Sequence, residues 1–178
     1  MSALLEVSAL SVVRGDHELF DSLNFALEGG EIMLIEGPNG SGKTSLLKCV
    51  AGLIPAESGE IRWQGSATAS DPQGFRASVA WFAHKNGFKS ELSARQNLEF
   101  EAQLRSRPLD QLSSALEQVG LTSIAERPFK TLSAGQQRRV GLARMLLAGA
   151  RLWILDEPFT NLDEQGQALT TLLSLIHI

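Results

Sequence analysis

The sequence predicts an α/β fold with a mainly parallel sheet and a helical insert, and three stretches carry that prediction. "IMLIEGPNGSGKTS", Ile32 to Ser45, is an apolar run, a glycine-rich turn and the start of a helix. "RLWILDEP", Arg151 to Pro158, is a second apolar run, closed by two acids. Between them, from about Ser93 to Arg127, the apolar spacing is helical. Strand, turn, helix and strand again is the order of an α/β core whose strands run mainly parallel.

The elements follow in order. "LNFALEGGEIMLIEG" reads as two short strands joined at Gly29-Gly30, the second running into the glycine turn. "TSLLKCVAGL" continues as a helix that stops near Gly52 and Pro55. "GEIRWQG" and "SVAWFAH" read as strands. "SARQNLEFEAQLR" and "LDQLSSALEQVG" form the helical insert, and "SAGQQRRVGLARMLLAG" is a longer helix. "EQGQALTTLL" begins a last one. We expect one domain over 1–178, with a core at about 1–90 and 136–178 and a helical subdomain at about 91–135.

A chain of 178 residues is long enough to bury a core. Its 43% hydrophobic and 20% charged residues are an ordinary globular balance. The net charge of −4 gives no electrostatic case for a nucleic-acid partner. A single cysteine, Cys49, excludes an internal disulfide framework and reads as a small buried hydrophobe. The N-terminus "MSALLEVSAL" lacks a basic segment and does not read as a signal peptide. No apolar run approaches the ~20 residues needed to span a bilayer. A cytoplasmic protein is expected, meeting a membrane only by docking to another subunit.

Gly37, Gly42, Lys43 and Thr44 fit G-x-x-x-x-G-K-[ST], placed between a strand and a helix as that motif requires. Backbone N–H groups of such a loop curl round a β-phosphate, and the helix N-terminus adds partial positive charge. Gly37, Pro38, Asn39, Gly40, Ser41, Gly42, Lys43, Thr44 and Ser45 are therefore the candidate nucleotide-binding loop. Lys43 would reach the β- and γ-phosphates, and the Thr44 hydroxyl would face Mg²⁺.

In "LWILDEP", Asp156 and Glu157 fall at the carboxyl end of a strand, where open α/β sheets bind ligands. Asp156 is the candidate metal ligand and Glu157 the candidate base for the attacking water. Alone, two acids at a strand end also fit an ordinary turn. "LSAGQQRR", Leu132 to Arg139, opens a helix with small residues. Ser133, Ala134 and Gly135 there would leave N–H groups and a hydroxyl facing an anion. A plain helix cap fits the same stretch.

The three motifs, in this order and spacing, resemble the nucleotide-binding domains of ABC transporters, with Ala134 in place of one glycine of the LSGGQ signature. The resemblance covers nearly the whole chain. It implies a P-loop NTPase core, a RecA-like mainly parallel sheet with an N-terminal antiparallel β region, and a helical insert. It implies ATP and Mg²⁺, and a head-to-tail homodimer in which Ser133, Gly135 and Gln136 complete the partner's ATP site. "FTNLD", Phe159 to Asp163, is similar to the loop that couples the two sites.

Two departures point to a subfamily. His84 ends "VAWFAH" where the family usually has a metal-sensing Gln, and is a candidate catalytic contact. Arg14 falls where an adenine-stacking aromatic is usual, and guanidinium can stack on a base. With Phe20, Gly87 and Lys89, these are similar to the ATP-binding subunit of the bacterial heme exporter of cytochrome c maturation. That resemblance implies a peripheral protein on the cytoplasmic face of the inner membrane, bound to an integral membrane permease. An ABC ATPase for another cargo, a soluble ABC protein and a non-catalytic binding module are the rival readings.

The family also has a further strand ending in a switch histidine. His177 lies too close after Asp163 for both a crossover helix and that strand to intervene. His177 is therefore not read as that residue. The chain is expected to be incomplete at its C-terminus, with "SLIHI" non-native, and to bind and turn over nucleotide poorly.

Overall fold

The computed structural model describes residues 4–83 and 87–157. His84, Phe159–Asp163, the expected helix from Glu164 and His177 lie outside the described residues. The chain divides into a first unit ending at Val79 and a second beginning at Ala80.

The first unit is built on an antiparallel sheet. Strands β1 (Leu5–Arg14), β2 (His17–Leu27), β3 (Ser58–Trp63) and β4 (Ser66–Ala67) lie in the order β2-β1-β3-β4. The end of β2 and β3 were legible as strands in the residue pattern; their antiparallel arrangement was implied by the resemblance. Leu5, Val7, Leu10 and Val12 of β1 are buried, so the inward alternation slips by one residue after Val7. A bulge makes the slip: the pairing of β1 with both neighbours shifts register there, and Ala9 has φ of 48°. Gly59 sits opposite with φ of +93°, where any Cβ would overlap the Ala9 carbonyl.

Helix α1 (Lys43–Val50) buries Leu46, Cys49 and Val50. Helix α2 (Pro72–Ala77) is capped by Asp71, whose carboxylate accepts the Gly74 N–H at 2.9 Å. Its Phe75 packs against Trp63, ring centres 6.0 Å apart.

One expectation fails in this unit. The strand predicted to enter the glycine turn is absent: residues 31–36 carry no strand pairing. Ile32, Met33 and Leu34 are 54%, 39% and 77% exposed. Apolar sequence makes a strand only when a neighbour supplies ladder hydrogen bonds. Among the described residues none does.

The second unit contains strand β5 (Val79–Phe82), helices α3 (Ala94–Leu104), α4 (Leu112–Gln118) and α5 (Ala134–Leu147), and strand β6 (Leu152–Leu155). β5 and β6 pair, and the Asp156 N–H donates to the Phe82 carbonyl at 2.9 Å. That bond joins the C-terminal ends of both strands, so they run parallel, as predicted. Phe82, Leu98, Leu116, Leu121, Val140 and Leu142 form the centre of this unit's core. Helices α3 and α4 fall in the two stretches read as helical, with α4 shorter at both ends than its apolar pattern.

Candidate functional site: a phosphate loop and an acidic strand end

The loop of the first unit ends at Gly42, which has φ of +91° and caps α1 without any side-chain hydrogen bond. The other long helices differ. Ser93 caps α3 and Ser133 caps α5, each through a reciprocal capping box. Gly42 has no side chain to cap the first turn of α1, and the first turn of a helix is where an anion is received. Lys43 Nζ donates to the carbonyls of Gly37 at 2.7 Å and Pro38 at 2.8 Å, folding the ammonium across the loop. Thr44 is exposed, and Ser45 is buried behind it.

Arg14 lies at the tip of the β1–β2 hairpin, paired with His17, and is exposed. Phe20 of β2 packs on Gly42, where an added Cβ would come within 2.9 Å of its ring.

In the second unit, Asp156 is buried and Glu157 is exposed. Glu157 has φ of 51°, in the left-handed region that non-glycine residues rarely occupy. Arg138, on α5, donates through Nη1 to the Ala83 carbonyl at 2.8 Å and through Nη2 to the Asp156 carbonyl at 3.5 Å. Nη2 also donates to the Glu157 carbonyl. Burial pushes the Arg138 guanidinium pKa down, while the Asp156 and Glu157 charges pull it back up. Arg138 is not legible in the sequence as a buried contact. Four polar residues in a row, Gln136 to Arg139, gave no sign of which would turn inward.

The signature segment opens α5 with a capping box. The Ser133 hydroxyl oxygen accepts the Gln136 N–H at 3.2 Å, and Gln136 Oε1 accepts the Ser133 N–H at 2.9 Å. The bond uses the hydroxyl as an acceptor; its own O–H proton is a separate donor. The capping box uses its oxygen because α5 must satisfy its own first turn. The N–H groups of Ala134 and Gly135 lie in that first turn and have no intrahelical acceptor.

Lys89 Nζ lies 4.1 Å from the centre of the Phe100 ring. Asn97 holds the same loop. Its side chain donates to the carbonyls of Lys89, Leu92 and Ser93, and accepts the Lys89 N–H at 2.8 Å.

The phosphate loop and the acidic strand end are features that a comparison with known proteins can weigh. The family profile described as ABC transporter matches residues 20–160. The chain belongs to the ABC transporter family. The cytochrome c biogenesis ATP-binding export protein CcmA of Vibrio cholerae is 44% identical over 98% of this chain and 85% of its own length. The protein of the same name from Dechloromonas aromatica is 47% identical over 90% of this chain and 79% of its own.

Among solved structures, an ABC transporter ATP-binding protein from Pyrococcus furiosus superposes with a TM-score of 0.84 at 27% identity. The match covers 97% of this chain and 84% of that one. The cbiO1 protein of Clostridium perfringens, described as part of an ABC transporter complex, matches with a TM-score of 0.80 at 26% identity, over 99% of this chain and 73% of its own. The ABC ATPase fold read from the three motifs is thus borne out. Among the described residues no helix is long and apolar enough to cross a membrane.

Proposed function

We propose that this ABC transporter chain is the ATP-hydrolysing subunit of a heme exporter serving cytochrome c-type biogenesis. The observation that carries the reading is the identity, 44% over nearly the whole chain, to a protein named for that export system. Its site supports ATP as the substrate. The first turn of α1 receives phosphate oxygens, and Lys43 exchanges the Gly37 and Pro38 carbonyls for them. Arg14 stacks on the base.

The donor set fits Mg²⁺: a threonine hydroxyl and a carboxylate are the hard oxygen ligands that ion takes. Thr44 and Asp156 would hold it. When bound, it neutralises charge on the phosphoryl oxygens. Glu157 takes the proton from the water that attacks the γ-phosphorus, and ADP leaves with the electrons of the broken P–O bond. His84 is the remaining candidate contact in this reading.

We read the chain as one ATP-binding domain over 1–178, its helical subdomain at about 91–135. Two copies assemble head to tail, with Ser133, Gly135 and Gln136 of each completing the other's site. The dimer sits peripherally on the cytoplasmic face of the bacterial inner membrane, on an integral membrane permease. It has no nucleic-acid partner.

The test is complementation. A strain lacking its own exporter ATPase should regain c-type cytochromes from the wild-type gene, and not from its Lys43→Ala or Glu157→Gln variants. Glu157→Gln should still bind ATP, because the pocket is kept while the base is lost. ATP hydrolysis without restored cytochromes would remove the heme reading and keep the ATPase. Unchanged hydrolysis by Glu157→Gln would remove that residue as the base.

A further inference from the structure

Arg138 stands on the turn of α5 that follows the Ser133 cap, and it is 4% exposed. A buried guanidinium needs acceptors for its fork of donors. Here they are backbone carbonyls at the ends of the two parallel strands: Ala83 after β5, and Asp156 and Glu157 after β6. The guanidinium carbon also lies 4.3 Å from the centre of the Phe82 ring, which closes one face of the group. One side chain thus ties the start of the signature helix to the backbone carrying both acids.

The conformation of Glu157 gives this latch a consequence. Its φ of 51° is costly for a residue with a Cβ, on the order of 1–2 kcal/mol. Such a residue stays in place only when its surroundings over-determine it. The Glu157 carbonyl accepts from Arg138, so the hydrogen bond acts on the very peptide whose orientation the left-handed turn sets. The direction of the Glu157 carboxylate follows from that turn.

We propose that Arg138 is a positioning residue for ATP hydrolysis: by gripping the Glu157 carbonyl it holds the left-handed turn that directs the Glu157 carboxylate. The proposal rests on the reading of Glu157 as the base. Arg138 touches neither water nor phosphate in this role. It also makes α5 and the acidic strand end one body, so a displacement at Ser133 is felt at Glu157.

The experiment compares Arg138→Met, Arg138→Lys, Glu157→Gln and the double variant Arg138→Met/Glu157→Gln. ATP hydrolysis is measured in the assembled transporter and nucleotide affinity with a fluorescent ATP analogue. Arg138→Met should lower kcat roughly ten- to a hundredfold, the loss expected when a catalytic group is slightly misplaced. KM and affinity should stay within about twofold, because no residue of the phosphate loop is altered. Arg138→Lys keeps the charge but one compact donor replaces the fork, so its kcat should fall between the two. The double variant should be no slower than Glu157→Gln alone, since Arg138 acts through the group already removed.

A kcat within twofold of wild type in Arg138→Met overturns the proposal. So does a further drop of the same size on the Glu157→Gln background, which would mean a general structural role. If Arg138→Met loses its near-UV circular dichroism, Arg138→Lys and its double variant with Glu157→Gln decide by the same comparisons. Glu157→Gln with wild-type turnover would instead condemn the base assignment itself, and is read separately.

Discussion

Gly42 and Phe20 are in contact across the phosphate loop, the ring edge so close that a Cβ on Gly42 would come within 2.9 Å of Phe20 Cε2. Leu19 closes the same space at 3.2 Å. Gly42→Ala therefore meets two separate penalties. One is the clash, which a turn of the Phe20 ring relieves. The other is φ of +91°, which no neighbour can relieve. Gly42→Ala should bind a fluorescent ATP analogue roughly tenfold or more weakly, matching about 1–2 kcal/mol of backbone strain. Phe20→Ala added to it should recover only part of the loss. Full recovery would mean that sterics alone, and not backbone conformation, make this position glycine.

Ser133 serves its own helix first. Its oxygen accepts the Gln136 N–H, and Gln136 answers through the Ser133 N–H. Ser133→Ala should cost about 1 kcal/mol of unfolding free energy in urea titration, as loss of an N-cap does. Ser133→Thr should cost less, since threonine keeps the accepting oxygen. If both variants were as stable as wild type, the capping box would have no energetic weight in solution.

Asn97 is buried at the foot of α3 and holds the loop between Gly87 and Ser93 from one side chain. Asn97→Leu is close in size but removes every one of those bonds. It leaves the Lys89 N–H and the carbonyls of Lys89, Leu92 and Ser93 without that partner, at about 1–3 kcal/mol for each group left dry. The expected outcome is a melting temperature lower by several degrees and faster hydrogen exchange at the Lys89 amide. Protection at Lys89 equal to wild type would show that the loop is held by something else.

Legibility from sequence followed range along the chain. The phosphate loop, the acidic strand end and the helical insert rest on local spacing, and each was readable because its residues are neighbours in sequence. Arg138 was not, because its acceptors on Ala83 and Glu157 lie far from it along the chain and are backbone atoms, which carry no residue identity. The bulge at Ala9 was hidden for the same reason: only the pairing with β2 and β3 reveals it. The strand expected at Ile32 to Ile35 failed in the opposite direction. Its apolar pattern is local and plain, but a strand is made by neighbours that the pattern does not supply. At Ser133 motif spacing located the helix start, but the capping box with Gln136 shows only in the structure.

Cys49 offers a titration nearly free of competitors. It lies on α1, 2% exposed, and burial pushes its thiol pKa above the ordinary value. The unfolded chain's thiol ionises first as pH rises, so over that window the folded state keeps a proton that the unfolded state has lost. Stability then falls with rising pH. The contribution is complete below the ordinary thiol pKa of about 8.5 and is lost as pH climbs through the folded value. The chain has no tyrosine, so the phenol ionisation that usually blurs this range is missing. Urea unfolding between about pH 7.5 and pH 10 should show a downward slope in wild type that is shallower in Cys49→Ala. Ellman's reagent should find the thiol silent in the folded protein and fully reactive in denaturant. Identical slopes, or rapid labelling of the native protein, would place the sulfur in water and contradict its packing beneath the phosphate loop.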